Sequence, residues 1–376
     1  MILEQKKNFL IFDSTVLIII LITVFFSLIS STMLYSAANG NFNPWTLKQG
    51  IIFGLFIPLM LCLRFIKIST IYKASYYIYA LCIMSLIVAE LNGYTTMGAQ
   101  RWIKIGYINV QPSEIAKLGI ILALARYFHN RTHSEINKLH FLIIPTLIFF
   151  IPAILILKQP NLGTTLIIIM ISMAIYFVSG VNKWVFILPG IGILLSIPIA
   201  WNFLHDYQKK RILTFLNPED DLLGAGYNIA QSKIAIGAGG FFGKGFMNGS
   251  QNQLSFLPEK HTDFIFTLLT EEWGFLGFCL VMILYTVLLI TCYRIAFNAV
   301  NHFGKMIVIG IATMIFLHIF INVGMISGLM PVVGTPIPLL SYGGSNLASV
   351  LIGLGLVLSV DHNTKNNICY SKSHLN

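Results

Sequence analysis

Two short stretches of this chain hold charged residues where a membrane-spanning helix would begin. In QPSEIAKLG (111–119), Pro112 suits the first position of a helix, Glu114 falls in its first turn, and Lys117 follows three residues later on the same face. A carboxylate there complements the helix dipole, which is a sufficient structural reason for Glu114. Lys117 is opposed by the dipole and by the lipid around an apolar span, so it needs an anion. Glu114 can be that anion in a structural ion pair, or a substrate can supply one, and ionisable groups inside membranes are functional by default.

The second stretch is PEKHTDFIFTLLTEEWG (258–274). A helix starting near Thr262 puts Asp263, Thr267 and Glu271 on one face and Phe264, Ile265, Leu268 and Leu269 on another. Such a segment is expected to lie along the membrane interface before the next span enters near Trp273. Asp263 is then a carboxylate held over an apolar floor, where burial and a neighbouring cation pull its pKa in opposite directions, or a helix N-cap; the residues alone leave the two readings even.

Motifs known from soluble enzymes do not fit. GAGGFFGKG (237–245) has Ala238 where a phosphate loop needs its first Gly, and Gly245 where it needs Ser or Thr, so a close-packing glycine loop is the better reading. HExxH and GxSxG are absent and the nine His are scattered, which leaves metal hydrolysis and Ser–His acyl transfer without support. The cysteines fall in apolar runs or, for Cys369, in the C-terminal tail, and indicate neither disulfides nor a thiolate metal site.

The elements that position these residues follow from composition. A chain of 376 residues that is 56% hydrophobic and 10% charged cannot be folded as water-soluble cores. The expectation is an all-α, polytopic integral membrane protein with about ten transmembrane helices, near 14–36, 45–64, 70–89, 113–128, 140–157, 162–181, 184–204, 273–293, 306–328 and 345–361. The first reads as a retained signal anchor. Thirteen Lys and Arg, among them Lys6, Lys7, Arg64, Arg126 and Lys365, face only Glu4, Asp13, Glu135 and Asp361 on one side, which makes that side, with both termini, cytoplasmic. Topogenesis thus accounts for the net charge of +10, and no nucleic-acid partner is implied. One long outer loop, 205–272, is nearly charge-balanced and expected to be ordered, with the interfacial helix inside it. Two further outer segments stand out, 90–112 and the Pro- and Gly-rich 329–344.

In order along nearly the whole chain, GAQRWIKIGYINVQPSEIAKL (98–118), QPNLGT (159–164), YQKKRILTFLNPEDDLLGAGYNIAQSKIAIGAGGFFGKGF (207–246), GSQNQLSFLPEKHTDFIFTLLTEEWGFLG (249–277) and PVVGTPIPLLSYGGS (331–345) resemble the SEDS family of shape, elongation, division and sporulation proteins. The GSQNQL stretch favours its RodA-like, rod-shape branch. The resemblance implies one SEDS-type membrane domain over 1–376, which polymerises peptidoglycan from lipid II on the periplasmic face of the bacterial inner membrane. It implies that Asp263 of HTDFIF is the catalytic residue and that Glu114 and Lys117 line the same cavity. It also implies partners: a class B penicillin-binding protein, which is a transpeptidase, and the cell-elongation machinery, besides membrane lipid and the growing glycan strand. One departure is Asn161, where the family has Asp in QPDLGT; either the carboxylate is dispensable, or its task is a hydrogen bond that an amide also makes.

The chemistry required fits these residues. An inverting attack of a sugar 4-hydroxyl on an anomeric carbon bearing polyprenyl pyrophosphate needs a base at the hydroxyl and cations at the leaving group. Asp263 is the expected base, Lys117, Arg101 and Arg211 the expected cations, and Glu114 the group that orients Lys117. No protein metal site or cofactor is evident; the substrate could bring its own Mg or Mn. A lipid II flippase and a non-catalytic elongation scaffold are the alternatives, and the first is disfavoured because charges gather at span ends rather than at the midplane.

Overall fold

In lipid, backbone N–H and C=O groups find no water, so long apolar runs must satisfy them internally as helices. The computed structural model describes residues 14–96, 99–106, 108–203, 209, 213–214, 217, 224–250 and 259–373. Each expected span is a helix in it: α1 (Ser14–Ala37), α2 (Trp45–Leu63), α3 (Ile68–Asn92), α4 (Pro112–His129), then after a single turn α5 (His133–Ile136), α6 (Leu139–Lys158), α7 (Leu162–Val178) and α8 (Trp184–Phe203). Next come α9 (Ala225–Gly239), α10 (Ile265–Asn298), α11 (His302–Ile326) and α12 (Gly344–Ser373). Among the described residues, seven helices are long and apolar enough to cross a membrane: α1, α2, α3, α6, α10, α11 and α12. Helix α7 is apolar but shorter, at 17 residues, and α4 carries Glu114, Lys117 and Arg126.

Burial separates the helices into two sets. In α2 and α3 only 22% of the apolar stretch is covered, whereas 72% of that in α11 and 83% of that in α12 is covered, so these two form the interior. Helix α4 joins them, packed against α3, α7, α11 and α12 and buried from Ala116 to Ala125. This explains how α4 can hold charges, since its polar side chains meet protein rather than lipid.

Two features differ from the sequence expectation. Between α3 and α4 lies a small antiparallel sheet in the order β1 (Tyr94–Thr96), β2 (Ala99–Ile105), β3 (Ile108–Val110), with Tyr94 opposite Trp102 and Ile103 opposite Val110. The segment expected as an interfacial helix is present as the first part of α10, but Ile265 to Glu272 are all buried inside the protein. Its polar face tolerates this because Thr267 Oγ1 pairs with Ser232 Oγ at 2.8 Å and Glu271 pairs with Lys244 at 2.8 Å. The boundary expected between that segment and the next span, near Trp273, is present: α10 is broken at Gly274, where the backbone turns to φ 65° and ψ −158°.

The glycine-rich run 237–245 is what holds that break. The N–H groups of Lys244 and Gly245 donate to the carbonyls of Glu271 and Glu272, ending the first half of α10, while the carbonyls of Gly240 and Phe241 accept from Phe275 and Leu276 at the start of the second half. Two orphan carbonyls of the first half and two orphan N–H groups of the second are thereby satisfied. The approach is too close for a side chain, since a Cβ on Gly243, at φ +82°, would lie 2.1 Å from the Glu272 carbonyl oxygen.

Candidate active site

The stretch between α11 and α12, residues 331–343, is irregular yet buried at Ile337, Leu339 and Leu340. Non-helical backbone at this depth requires partners from surrounding protein. Four helices provide them: Ser30 of α1 donates to Leu340 O at 2.8 Å, Gln49 of α2 to Ser341 O at 2.9 Å, Tyr285 of α10 to Pro338 O, and Asn322 of α11 to Thr335 O at 2.7 Å. His318, one turn before Asn322 on α11, adds a contact from Nδ1 to Pro336 O at 3.2 Å.

The α4 charges meet this segment through His318. Lys117 Nζ lies 2.9 Å from Glu114 Oε2 and 2.7 Å from His318 Nε2, and Asn346 in the first turn of α12 donates to the same Glu114 oxygen at 2.9 Å. Lys117 is 1% exposed and Glu114 4%. The ion pair read from the i, i+3 spacing is therefore formed and sealed from solvent within the protein. Pro112 sits at the helix start as expected, after Gln111 in an extended conformation.

Asp263 approaches the same segment from the other side. Helix α10 begins at Ile265 with Phe264 as its N-cap, so Asp263 lies in the preceding turn, off the helical face expected for it, and the N-cap alternative is not what the fold uses. Its turn is stitched to residues 331–343. Asn322 Nδ2 donates to Asp263 O at 2.9 Å, Ser341 Oγ to Thr262 O at 2.6 Å, and Tyr342 N to His261 O at 2.9 Å. A Cβ on Gly334, whose φ is +71°, would lie 3.2 Å from Asp263 Oδ2. The carboxylate thus sits against a backbone that has no side chain to cover it. His261 stacks on Trp45 with centroids 4.2 Å apart, and burial holds its imidazole below the ordinary range, against an opposing pull from Glu259.

Arg101 has a different setting. From β2 its Nε donates to Gln159 O at 2.8 Å and its Nη2 to Pro160 O at 2.5 Å, fixing the turn that ends α6. That turn carries Asn161, the N-cap of α7, whose amide oxygen accepts from Thr164 N at 3.3 Å. Of the two explanations for the Asn, the hydrogen bond is the one the geometry supplies. The QPNLGT stretch also underlies the 331–343 segment, because a Cβ on Gly163 would come within 2.5 Å of Val333 Cγ1. Arg211 lies outside the described residues.

The fold therefore brings Glu114, Lys117 and Asp263 to one irregular segment and engages Arg101 at its underside. Sequence reasoning missed His318, Asn322 and Asn346, which make the connections. The signal was present in part, since His318 and Asn322 are polar residues at i and i+4 in an otherwise apolar span. It also missed Glu272, which accepts from Ser36 Oγ beside the α10 break.

Comparison with known proteins identifies the family. The cell cycle protein family of FtsW, RodA and SpoVE matches residues 10–366. The chain is 39% identical over 357 residues to the peptidoglycan glycosyltransferase MrdB of Escherichia coli K12, covering 94% of both chains. It is 34% identical over 361 residues to stage V sporulation protein E of Bacillus subtilis, covering 92% of this chain and 96% of that one. Among solved structures, a chain described under "Structural coordination of polymerization and crosslinking by a peptidoglycan synthase complex" superposes with a TM-score of 0.79 at 31% identity, covering 91% of this chain and 96% of that one. The Thermus thermophilus rod shape determining protein RodA superposes with a TM-score of 0.70 at 27% identity, covering 94% and 98%. On the match over 10–366 and the identity over nearly its full length, the chain belongs to the FtsW, RodA and SpoVE family.

Proposed function

We propose that this chain is a peptidoglycan glycosyltransferase that polymerises lipid II into glycan strands during cell elongation, with Asp263 as general base. One observation carries the reading: α11 ties the buried Glu114–Lys117 pair, through His318, and the Asp263 turn, through Asn322, to the same 331–343 segment. A base and a cation held to one framework are what glycosyl transfer from a pyrophosphate donor needs. In the step, the acceptor 4-hydroxyl oxygen forms a bond to the anomeric carbon and its proton passes to the Asp263 carboxylate. The bond from that carbon to the pyrophosphate oxygen breaks, and the electron pair leaves with the polyprenyl pyrophosphate. Lys117 stabilises the departing charge once it is uncovered, and Glu114 orients it. Arg101 holds the QPNLGT turn beneath that segment; Arg211 is a second proposed pyrophosphate contact. Any divalent cation, Mg or Mn, would come with the pyrophosphate substrate and add to the charge that Lys117 supplies.

The family match and the apolar helices support an inner-membrane, multi-pass placement, and the charge asymmetry supports cytoplasmic termini with the site on the periplasmic face. The likeness to a chain of a synthase complex supports a class B penicillin-binding protein as partner. The test is purified protein reconstituted with fluorescent lipid II. Glycan polymer without lipid II crossing the bilayer is the expected result; transport without polymer identifies a flippase, and neither activity leaves a scaffold.

A further inference from the structure

His318 is 2% exposed, in the middle of α11, and is the sole bridge in the described hydrogen bonds between Lys117 and the 331–343 segment. Its two ring nitrogens have different duties, and the partners fix which is which. Pro336 O can only accept, so Nδ1 carries the hydrogen and donates across 3.2 Å. Nε2 is then bare and accepts from the Lys117 ammonium at 2.7 Å. A ring protonated at both nitrogens would set an N–H against the ammonium, two donors face to face.

The ammonium has three N–H directions. Glu114 Oε2 takes one and His318 Nε2 a second, which fixes the axis of the third. Glu114 alone leaves the ammonium free to rotate about a single contact, since a lysine head is a point charge on a flexible stem. The imidazole supplies the second point, and its own angle is set by the Pro336 carbonyl of the segment to which Asn322 also ties the Asp263 turn. We propose that His318 is a positioning residue for glycosyl transfer, directing the Lys117 ammonium from one ring nitrogen while the other is anchored to the Pro336 carbonyl. This rests on the reading of Lys117 as the group that stabilises the leaving pyrophosphate. The placement of the 331–343 segment and the direction of the cation are thereby one variable rather than two.

Two amide substitutions separate the ring's halves. In His318→Asn the amide nitrogen reaches where Nδ1 lies and keeps the bond to Pro336 O, but nothing accepts from Lys117. In His318→Gln the amide oxygen reaches where Nε2 lies and restores that acceptor. With purified full-length protein and lipid II, His318→Asn should lower kcat by about 10²-fold with little change in KM, because a cation that acts on developing charge contributes mainly in the transition state. His318→Gln should recover most of kcat, and His318→Asn should add nothing on a Lys117→Gln background. Melting temperatures of the purified variants guard against misfolding, and recovery by Gln is an outcome that a generally damaged helix would not give. Wild-type kcat in His318→Asn, or equal loss in the Asn and Gln variants of equal stability, overturns the inference while leaving the role of Lys117 standing. Wild-type turnover in Lys117→Gln removes that role itself, and the inference with it.

Discussion

Replacing Lys117 by Met should separate what the buried ion pair does for the fold from what it does for the reaction. Glu114 Oε2 receives two hydrogen bonds, from Lys117 and Asn346, and both charged residues are almost wholly covered. Removing the ammonium leaves a buried carboxylate held by a neutral amide alone, and breaking a buried pair in this way costs roughly 3–5 kcal/mol. That is a large part of the ~5–15 kcal/mol that holds a typical domain folded. Neutralising both partners in Glu114→Gln/Lys117→Met should recover most of the loss, because Asn346 can still donate to the Gln amide oxygen and no charge remains to be desolvated. Turnover should stay lost in both variants, since neither has the cation. The assays are thermal unfolding in nanodiscs, followed by tryptophan fluorescence, and lipid II polymerisation on the same preparations. A Lys117→Met protein as stable as wild type would contradict the buried-pair energetics. A double variant that regained turnover would make the pair structural only.

Three further outcomes follow from the packing. Gly243→Ala should destabilise the protein by more than about 2 kcal/mol, because the new Cβ meets the Glu272 carbonyl at a left-handed φ, whereas Gly237→Ala in the same glycine run has open space around it and should be neutral or slightly stabilising in a melting experiment. Asn161→Asp should stay within about 1 kcal/mol of wild type and keep its activity, as Asp and Asn cap helices equally well. Burial holds the His261 imidazole below its ordinary pKa of 6.5, so the unfolded chain binds more protons in acid. Its contribution to stability is complete above that value and is lost as pH falls from there through the lower folded-state value. The melting temperature of His261→Asn should therefore change less than that of wild type between about pH 7.5 and pH 5.5.

The helices were legible because apolar runs in a chain this hydrophobic have one outcome, and their expected limits lie within about five residues of those observed except where α10 extends back to Ile265 and where the last helix, expected to end near 361, continues to Ser373. The small sheet between α3 and α4 was not, since three short strands without clear alternation carry little periodic signal. The buried placement of residues 265–272 was misread for a physical reason. Amphipathic spacing says that a helix has two faces, but not whether its polar face meets water or, like Thr267 and Glu271, the side chains of Ser232 and Lys244. For the site, the Glu114–Lys117 pair could be read because its partners are three residues apart. The links from Lys117 to His318, and from Asn322 to Asp263, span 201 and 59 residues, and local spacing carries no information about them.

The central claim is that the Asp263 carboxylate takes the acceptor proton at a site framed by residues 331–343. The direct measurement is the initial rate of glycan polymerisation from lipid II by purified Asp263→Asn protein, with its melting temperature and lipid II affinity measured alongside. Asn keeps the size of the side chain and leaves the Asn322 bond to the backbone carbonyl in place, so fold and binding should survive. The expected rate is lower than wild type by about 10²-fold or more. A folded, lipid-binding Asp263→Asn protein that polymerises at the wild-type rate would contradict the assignment.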